Sequence, residues 1–247
     1  MAQSSNDAHV GGRAPFDRIG VVVLRELVES IVSGHFAPGN ALPPEAVLSR
    51  DFGVSRTVIR ESVKRLQEKG MVTVAQGRGT HVNPMSQWNL LDPLVITALI
   101  GHDDALGILD DLSVVRASLE ATMSGAVAAS HDDDDIERLE RSLAAMRDAI
   151  ADSTAFREAD VAFHLAVMEM SGNLLAENIA GVLYQRARES ARYDGRDPVD
   201  AFERTCEEHA RVVEAIAAGD VQGARAAMED HIIGSWERRR LPNLKRD

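Results

Sequence analysis

The chain has 247 residues, of which 45% are hydrophobic and 4% aromatic, and this size and composition favour two modest domains built from aliphatic helices. The single cysteine, Cys206, excludes an internal disulfide framework and a paired-cysteine zinc site, and favours a reducing, cytoplasmic location. The net charge of −12 is unevenly spread, because residues 1–85 hold 10 Lys/Arg against 8 Asp/Glu while the rest hold 17 against 31. Charge acts locally, over a Debye length of roughly 10 Å, so the acidic total does not exclude nucleic-acid binding by the N-terminal part.

Residues 1–17 are polar and lack an apolar core, which predicts a disordered arm and not a signal peptide. Residues 18–82 predict a winged helix-turn-helix. Apolar residues repeat with helical spacing from Ile19 to Ile31, a second helix starts at Pro44, and a third runs from Ser55 to Gly70. Two β-prone segments around a turn at 76–79 follow and form the wing.

The third helix is the most informative part of this domain. Gly53 supplies the turn before it, and Ser55 can cap its free amides. Ile59 and Leu66 mark its apolar side, so the outward side carries Arg56, Thr57, Arg60 and Lys64. A capped helix that presents cations outward is the arrangement that places a helix in a DNA groove.

Residues 83–104 predict a linker that contains a short helix opened by Pro93. The apolar stretch in this linker is interrupted by Asp92 and Pro93 and is too short to span a bilayer. Residues 105–240 show helical periodicity almost throughout, with a helix start at Asp132–Asp135 and a break at 171–173, and residues 241–247 form a tail. The predicted fold class is mainly α, with an all-α helical bundle after the winged domain.

A second constellation lies in this helical part. Asp160 and His164 are one turn apart on the apolar side of one helix, and His209 and His231 lie on the apolar sides of two others. Burying these groups is costly unless they are paired, and one divalent cation would satisfy all four. Mixed nitrogen and oxygen ligands suit zinc, nickel, cobalt or manganese. The alternative is that each histidine is an ordinary hydrogen-bonded core residue.

Arg116 lies inside the apolar face of a further helix, with Glu120 one turn later. It is either a structural salt bridge to Glu120 or an anchor for a ligand carboxylate, which a guanidinium fork fits well.

These motifs resemble the GntR family of bacterial transcription regulators, in the branch that carries an FCD ligand-binding domain. In the N-terminal domain the resemblance rests on Gly39-x-x-Leu42-Pro43-x-Glu45, Gly53-Val54-Ser55-Arg56-Thr57-x-x-Arg60-Glu61 and Gly77-Arg78-Gly79-Thr80-x-Val82. In the helical domain it rests on Val115-Arg116-x-x-Leu119-Glu120, Asp160-x-x-Phe163-His164, Gly172-Asn173, Glu208-His209 and Gly219-Asp220 through His231.

The resemblance implies a role for each matched residue. The implied metal ligands are Asp160, His164, His209 and His231, and the implied effector residues are Arg116, Glu120 and Asn173. The implied DNA-binding residues are Ser55, Arg56, Thr57, Arg60 and Lys64, with Gly77 and Arg78 in the wing. The family also implies a homodimer. Val58, Ala46 and Ala75 stand where family members often have proline or arginine, which leaves the operator sequence open.

These observations predict a ligand-responsive transcription factor and not an enzyme. The expected mechanism is a repressor that reads a near-palindromic operator and is released by a small organic acid bound at a zinc, nickel or manganese site. Residues 87–92 are similar to regulators of galactonate and related sugar-acid pathways, which favours a sugar acid. Two alternatives remain: a metal-dependent enzyme that acts on a small acid, with Glu120 as its inward candidate base, and a metal-sensing regulator without an organic effector.

Overall fold

The computed structural model describes residues 15–75, 77–104, 106–189 and 200–240. Its contacts divide the chain into two compact units, 1–98 and 99–247. The predicted tail and residues 1–14 of the predicted arm lie outside the described residues. The first helix begins at Pro15, so the last three residues assigned to the arm are helical instead.

The first unit has the predicted winged helix-turn-helix architecture. Its elements are α1 (Pro15–Val32), α2 (Glu45–Asp51), α3 (Arg56–Glu68), β1 (Val72–Ala75) and β2 (Gly79–Val82). The two strands are antiparallel, with Val72 opposite Val82 and Ala75 opposite Gly79. The core of this unit includes the fully buried side chains of Leu27, Ile59 and Leu66. Burying one such aliphatic side chain contributes about 1.5–3 kcal/mol, and these contacts hold α3 against α1.

The turn before α3 has the predicted local structure. Gly53 has a φ of 65°, a left-handed conformation that glycine adopts without strain. Ser55 is the N-cap of α3, and its hydroxyl accepts a hydrogen bond from the Val58 amide at 3.4 Å. This cap fixes where the helix begins, and therefore which side chains lie in its first exposed turn.

The first part of the predicted linker packs against the winged unit. Trp88 is buried and donates from Nε1 to the Asn83 carbonyl at 2.9 Å. Gly70, with a φ of 71°, passes so close to this segment that a Cβ atom there would lie 2.1 Å from the Gln87 carbonyl oxygen. A side chain at position 70 would therefore displace the segment, and glycine is required for both conformation and space.

The second unit is all-α, as predicted. A short helix, α4 (Pro93–His102), contains the boundary between the two units. The helices that follow it are α5 (Gly107–Ser130), α6 (Asp133–Asp148), α7 (Ser153–Met170), α8 (Leu174–Glu189), α9 (Ala201–Ala217) and α10 (Val221–Arg239). The aspartate run starts α6 as predicted: Asp132 and Asp135 form a reciprocal capping box. Within the described residues, no helix has the length and apolar character needed to cross a bilayer.

The core of the second unit is aliphatic and aromatic, with Phe156, Phe163 and Met228 among its buried members. Beside these residues lies an unusual set of buried polar and charged side chains: Arg116, Glu120, His164, Glu208, His209 and His231. Charged groups are rarely buried unless they are paired or bind a ligand. The partners of these side chains therefore indicate what this unit does.

Candidate functional site

The four predicted metal ligands converge in the second unit. Asp160 and His164 come from α7, His209 from α9 and His231 from α10, and one ligand atom of each lies within 4.8 Å of the other three. His209 Nε2 is 3.0 Å from His231 Nε2, which is 3.3 Å from His164 Nε2. Asp160 Oδ1 lies 3.9 Å from His164 Nε2 and 3.8 Å from His209 Nε2.

The other nitrogen of each ring shows which atoms carry protons. His164 Nδ1 donates to Glu120 at 2.6 Å, and His231 Nδ1 donates to Glu208 at 2.8 Å. His209 Nδ1 lies 3.1 Å from the Met146 sulfur, a weak acceptor. When Nδ1 of a neutral imidazole carries the proton, Nε2 carries a lone pair, and the Nε2 atoms of His164 and His231 face each other at 3.3 Å. Carboxylates on the far side of metal-binding histidines commonly fix this tautomer.

This arrangement fits a divalent cation. Asp160 Oδ1 is buried, and no described residue hydrogen-bonds to it. The observed spacings of 3.0–3.9 Å are short enough for one ion to lie about 2.0–2.2 Å from each of these atoms, the distance that nitrogen and oxygen ligands prefer. The two Nε2 lone pairs of His164 and His231 repel without a cation between them, and the unbonded Asp160 oxygen lies beside them, so the structure favours a metal-ligand set over ordinary core histidines.

The pKa values of these groups agree with that assignment. Burial lowers the pKa of His209 well below its usual value, and the neighbouring His231 and His164 lower it further. Burial also lowers the pKa of His231, against the opposing effect of its hydrogen bond to Glu208. Both rings therefore stay neutral, which is the form that binds metal.

Asp160 is held in its ionised form by its surroundings. Burial alone would raise the pKa of Asp160, but His164, His231 and a hydrogen bond from Tyr184 together lower it. The Tyr184 hydroxyl donates to Asp160 Oδ2 at 2.7 Å. This bond uses one carboxylate oxygen and leaves Oδ1 directed at the histidines.

Arg116 forms the salt bridge to Glu120 that was one of the two roles suggested by its sequence position. Its Nε donates to Glu120 Oε1 at 2.9 Å, and both side chains are buried. Burial would raise the pKa of Glu120, but the charge of Arg116 and the hydrogen bonds from His164 and Arg116 outweigh it and lower the pKa to about 2. The Arg116 guanidinium also stacks over the Tyr184 ring, 3.9 Å from its centroid. Glu120 therefore joins Arg116 to the metal-ligand set.

A cavity of about 220 Å³ opens beside these groups. Arg116, Asp160, His164 and His231 all line it, so the cavity gives access to the ligand set and the arginine together. The rest of its wall includes Thr154, Arg157, Glu158, Tyr184, Arg188, Ile232, Ser235 and Arg239.

The structure does not bring Asn173 to this cavity. Its side chain accepts a hydrogen bond from the Ala176 amide at 3.1 Å and caps the start of α8, where it is exposed. Glu120 is adjacent to the cavity but absent from its wall, since its carboxylate is occupied by Arg116 and His164.

Several site residues were not predicted from the sequence. Tyr184, Met146 and the carboxylate of Glu208 orient predicted ligands, and Arg157, Arg188 and Arg239 line the cavity. A sequence signal existed for Glu208, because it directly precedes His209. In the structure Arg238 also binds its carboxylate at 2.8 Å. Arg157 lies three positions before Asp160 on α7, and Arg239 lies eight positions after His231 on α10. Tyr184, Met146 and Arg188 come from other helices and have no local signature.

In the winged unit, the predicted DNA-contacting residues are all exposed. Five of them, on and just before α3, are exposed: Ser55, Arg56, Thr57, Arg60 and Lys64. The exposed face of α3 also carries Glu61, Arg65, Gln67 and Glu68. Arg60 pairs with Glu45 of α2, with Nη2 3.0 Å from Oε2. In the wing, Arg78 is exposed and Gly77 has a φ of 75°. The helix thus presents cations outward, as expected for a DNA-reading element.

Comparison with known families assigns both units. Residues 21–82 match the family described as bacterial regulatory proteins, gntR family, and residues 111–234 match the FCD domain. The chain belongs to the GntR family and carries an FCD domain. It is therefore a DNA-binding transcription regulator, which decides against the enzyme alternative.

Characterised relatives of this GntR chain cover most of its length. It is 31% identical over 206 residues to the HTH-type transcriptional regulator LutR of Bacillus subtilis, covering 82% of this chain and 92% of that protein. It is 30% identical over 214 residues to the galactonate operon transcriptional repressor of Escherichia coli, covering 86% and 93%. A solved structure of Lar, described as controlling the Listeria monocytogenes agr system, has the same fold, with a TM-score of 0.55 at 18% identity over 93% and 98% of the two chains.

Proposed function

We propose that this GntR regulator is a cytoplasmic, homodimeric repressor that leaves its operator when a small organic acid binds at the metal site of the FCD domain. The observation that carries the proposal is the shared cavity wall, in which Arg116 and three of the four metal ligands face the same space. A cavity of this kind supports an organic effector over a regulator that senses the metal alone. The galactonate repressor among its relatives supports a sugar acid or another hydroxy acid.

The proposed ion is zinc, nickel or manganese, held by Asp160, His164, His209 and His231. A divalent ion there would supply a Lewis-acid centre for a carboxylate oxygen. Arg116 supplies a fixed cation beside it, because Glu120 and the Tyr184 ring hold its guanidinium. Fixing these side chains before the acid arrives lowers the entropy lost on binding.

At the DNA, each protomer would read one half of a near-palindrome. Arg56, Thr57, Arg60 and Lys64 on α3 would contact bases and phosphates, Ser55 would contribute at the helix start, and Gly77 and Arg78 in the wing would contact the neighbouring groove. Phosphate contacts of this kind make affinity strongly salt-dependent.

Helix α10 supports a route by which cavity contents could change the rest of the domain. It carries His231 at the cavity, and near its end Trp236 Nε1 donates to Asp110 Oδ1 at 2.7 Å. Arg240 binds the other Asp110 oxygen at 2.7 Å, so α10 holds the first turns of α5. An acid that contacts α10 residues at the cavity would move α10 and, through these bonds, the start of α5. To cause a switch, the acid must bind the two resulting states with unequal affinity.

The test begins with selection of operator DNA from a random duplex pool by the full-length protein. We expect a near-palindromic sequence that binds two protomers, with tenfold or greater preference over a scrambled duplex in fluorescence anisotropy.

Elemental analysis should find one transition-metal ion per protomer, and His164→Ala should lose it. Addition of galactonate or lactate should weaken operator binding by the metal-loaded protein and not by His164→Ala. Failure to enrich any duplex at moderate salt would contradict operator recognition, and release by chelation alone would favour the metal-sensing alternative.

A further inference from the structure

The segment that follows the wing, residues 83–92, lies outside both matched family ranges, which cover residues 21–82 and 111–234. We call residues 83–92 the linker segment. It belongs to the same compact unit as the winged fold. It also hydrogen-bonds to the residues that directly follow α3, the helix proposed to read DNA. These contacts show what the linker segment does for α3.

Two asparagines attach the linker segment to the end of α3. The Asn89 amide donates to the carbonyl of Lys69, the C-cap residue of α3, at 2.9 Å. Asn83 Nδ2 donates to the Gly70 carbonyl at 2.8 Å, and the Asn83 amide donates to the Met71 carbonyl at 2.8 Å. Carbonyl groups at a helix C-terminus have no partner within the helix. The linker segment therefore supplies partners at the point where α3 ends and the chain turns toward the wing.

An ion pair joins the same end of α3 to the start of α4. Lys69 Nζ donates to Asp92 Oδ2, and both side chains are only 17% exposed. Asp92 directly precedes α4, and its Oδ1 accepts hydrogen bonds from the Leu94 and Val95 amides at 3.0 and 3.3 Å. Asp92 is thus the N-cap of α4 while it also binds the C-cap of α3. One carboxylate holds both helix ends.

The charges of this pair suit the two helices that they join. A cation stabilises the C-terminal end of a helix and an anion stabilises the N-terminal end, which are the ends where Lys69 and Asp92 lie. Water has little access to either side chain, so it competes less for this pair than for an exposed one. The pair therefore fixes the end of α3 relative to the first turn of α4.

We propose that Asp92 is a positioning residue for DNA reading, which sets the direction of α3 by tying its C-terminal end to the first turn of α4. This inference rests on the proposed use of α3 to read the operator. Base contacts require side chains to meet base edges with good geometry, so a small change in helix direction costs base contacts before phosphate contacts. The chain also leads through α4 toward the FCD domain. The Lys69–Asp92 pair is thus where a change in the direction of α4 reaches α3.

The test is Asp92→Asn in the full-length protein. Asparagine caps a helix as well as aspartate, so α4 keeps its start while Lys69 loses its anion. We expect affinity for the selected operator to fall about tenfold and affinity for a scrambled duplex to change less than about threefold, both by fluorescence anisotropy. Removing a negative charge would by itself strengthen binding to DNA. Weaker operator binding is therefore the opposite of what the charge change alone predicts.

Asp51→Asn is the matched control, because it removes the same charge in the same unit from an exposed pair with Arg50. It should leave the ratio of operator affinity to scrambled-duplex affinity unchanged. Lys69→Met should lower this ratio as Asp92→Asn does, and the double variant should lose no more than the larger single loss, because both changes break one link. An unchanged ratio in Asp92→Asn, or an equal fall in Asp51→Asn, would overturn the proposal. Additive losses in the double variant would show that the pair is not the cause.

Two further measurements separate positioning from stability. Urea denaturation should show that each variant is folded under the binding conditions, and equal weakening toward both duplexes would assign the pair to stability alone. In the DNA-free protein, hydrogen exchange of residues 83–92 should be faster in Asp92→Asn than in Asp51→Asn. A protein that enriches no duplex would contradict operator recognition and the positioning role together. If the unchanged protein binds its operator while Asp92→Asn alters neither exchange nor the affinity ratio, only the positioning role fails.

Discussion

Two Arg–Glu pairs of the same chemistry lie in the two units of this protein, and their surroundings give them opposite properties. In the winged unit, Arg60 lies 3.0 Å from Glu45, with the two side chains 71% and 39% exposed. In the helical unit, Arg116 lies 2.9 Å from Glu120, with the two side chains 6% and 1% exposed. The distances are nearly equal, so the difference lies in access to water.

In the exposed pair one partner can be exchanged for another charged group, whereas in the buried pair it cannot. Water and salt compete for Arg60, so it can exchange Glu45 for a DNA phosphate at little cost. Arg116 and Glu120 have lost their water, and each depends on the other for compensation. The predicted DNA-contacting arginine can thus change partner, while the buried pair beside the proposed effector cavity is held in place by its own contacts.

Arg116→Gln should have the largest effect, because it leaves the buried Glu120 without its cation. Breaking a buried pair costs about 3–5 kcal/mol, and we expect the free energy of unfolding of the metal-free protein to fall by about 3 kcal/mol. Urea denaturation measures this change. The matched control is Arg141→Gln, which removes an exposed pair with Glu137 of the same one-turn spacing and should cost less than about 0.5 kcal/mol. Equal losses in the two variants would show that burial does not distinguish the pairs.

Tyr184→Phe should weaken metal binding without changing the ligands themselves. It removes the hydroxyl that donates to Asp160 Oδ2 at 2.7 Å and orients the carboxylate. Loss of such an orienting partner typically costs 10- to 100-fold in metal affinity, and we expect about tenfold in a competition assay with a chromogenic chelator. Ser118→Ala removes an exposed hydroxyl that bonds only the Val114 carbonyl of its own helix among the described contacts, and it should leave metal affinity unchanged. An unaltered affinity in Tyr184→Phe would exclude a positioning role for this hydroxyl.

The metal-free protein should lose stability as the pH falls from 7 to 5.5. His209 and His231 have folded-state pKa values below the usual 6.5, so below that pH the unfolded chain binds protons that the folded chain excludes. Unfolding therefore becomes easier with acid, by about 1 kcal/mol per pH unit for each histidine. Chemical denaturation at several pH values in the presence of a chelator measures the slope. In His209→Gln the free energy of unfolding should change less steeply with pH. A slope identical to that of the unchanged protein would show that His209 does not contribute to the pH dependence.

Arg60→Gln should have the smallest effect on the fold and a measurable effect on DNA binding. The unfolding midpoint should not change, because the pair with Glu45 is exposed. Operator affinity should fall, and the slope of log affinity against log salt should fall by about 0.9 per protomer for one lost phosphate contact. Arg50→Gln, which removes an exposed cation of α2 outside the predicted DNA face, is the control. A salt slope that stays unchanged in Arg60→Gln would exclude a phosphate contact.

The sequence predicted the candidate sites best where the residues concerned lie close together along one helix. Asp160 and His164, and likewise Arg116 and Glu120, are one turn apart, so helical periodicity alone predicted that each pair shares a face. The cap at Ser55 and the exposed cations of α3 were predictable for the same reason. Asn173 shows the limit, since its motif indicated the effector site while its side chain caps α8.

What the sequence determined by itself was the fold class, the family and the residues able to bind a metal, because these depend on local spacing and side-chain chemistry. Only the tertiary structure decided which side chains meet across helices. Tyr184 reaches Asp160 from 24 positions away, and Glu208 reaches His231 from 23. The four cavity arginines come from four helices, and their common wall exists only because the helices pack against one another. Packing creates such convergence, and no pattern within a single helix encodes it.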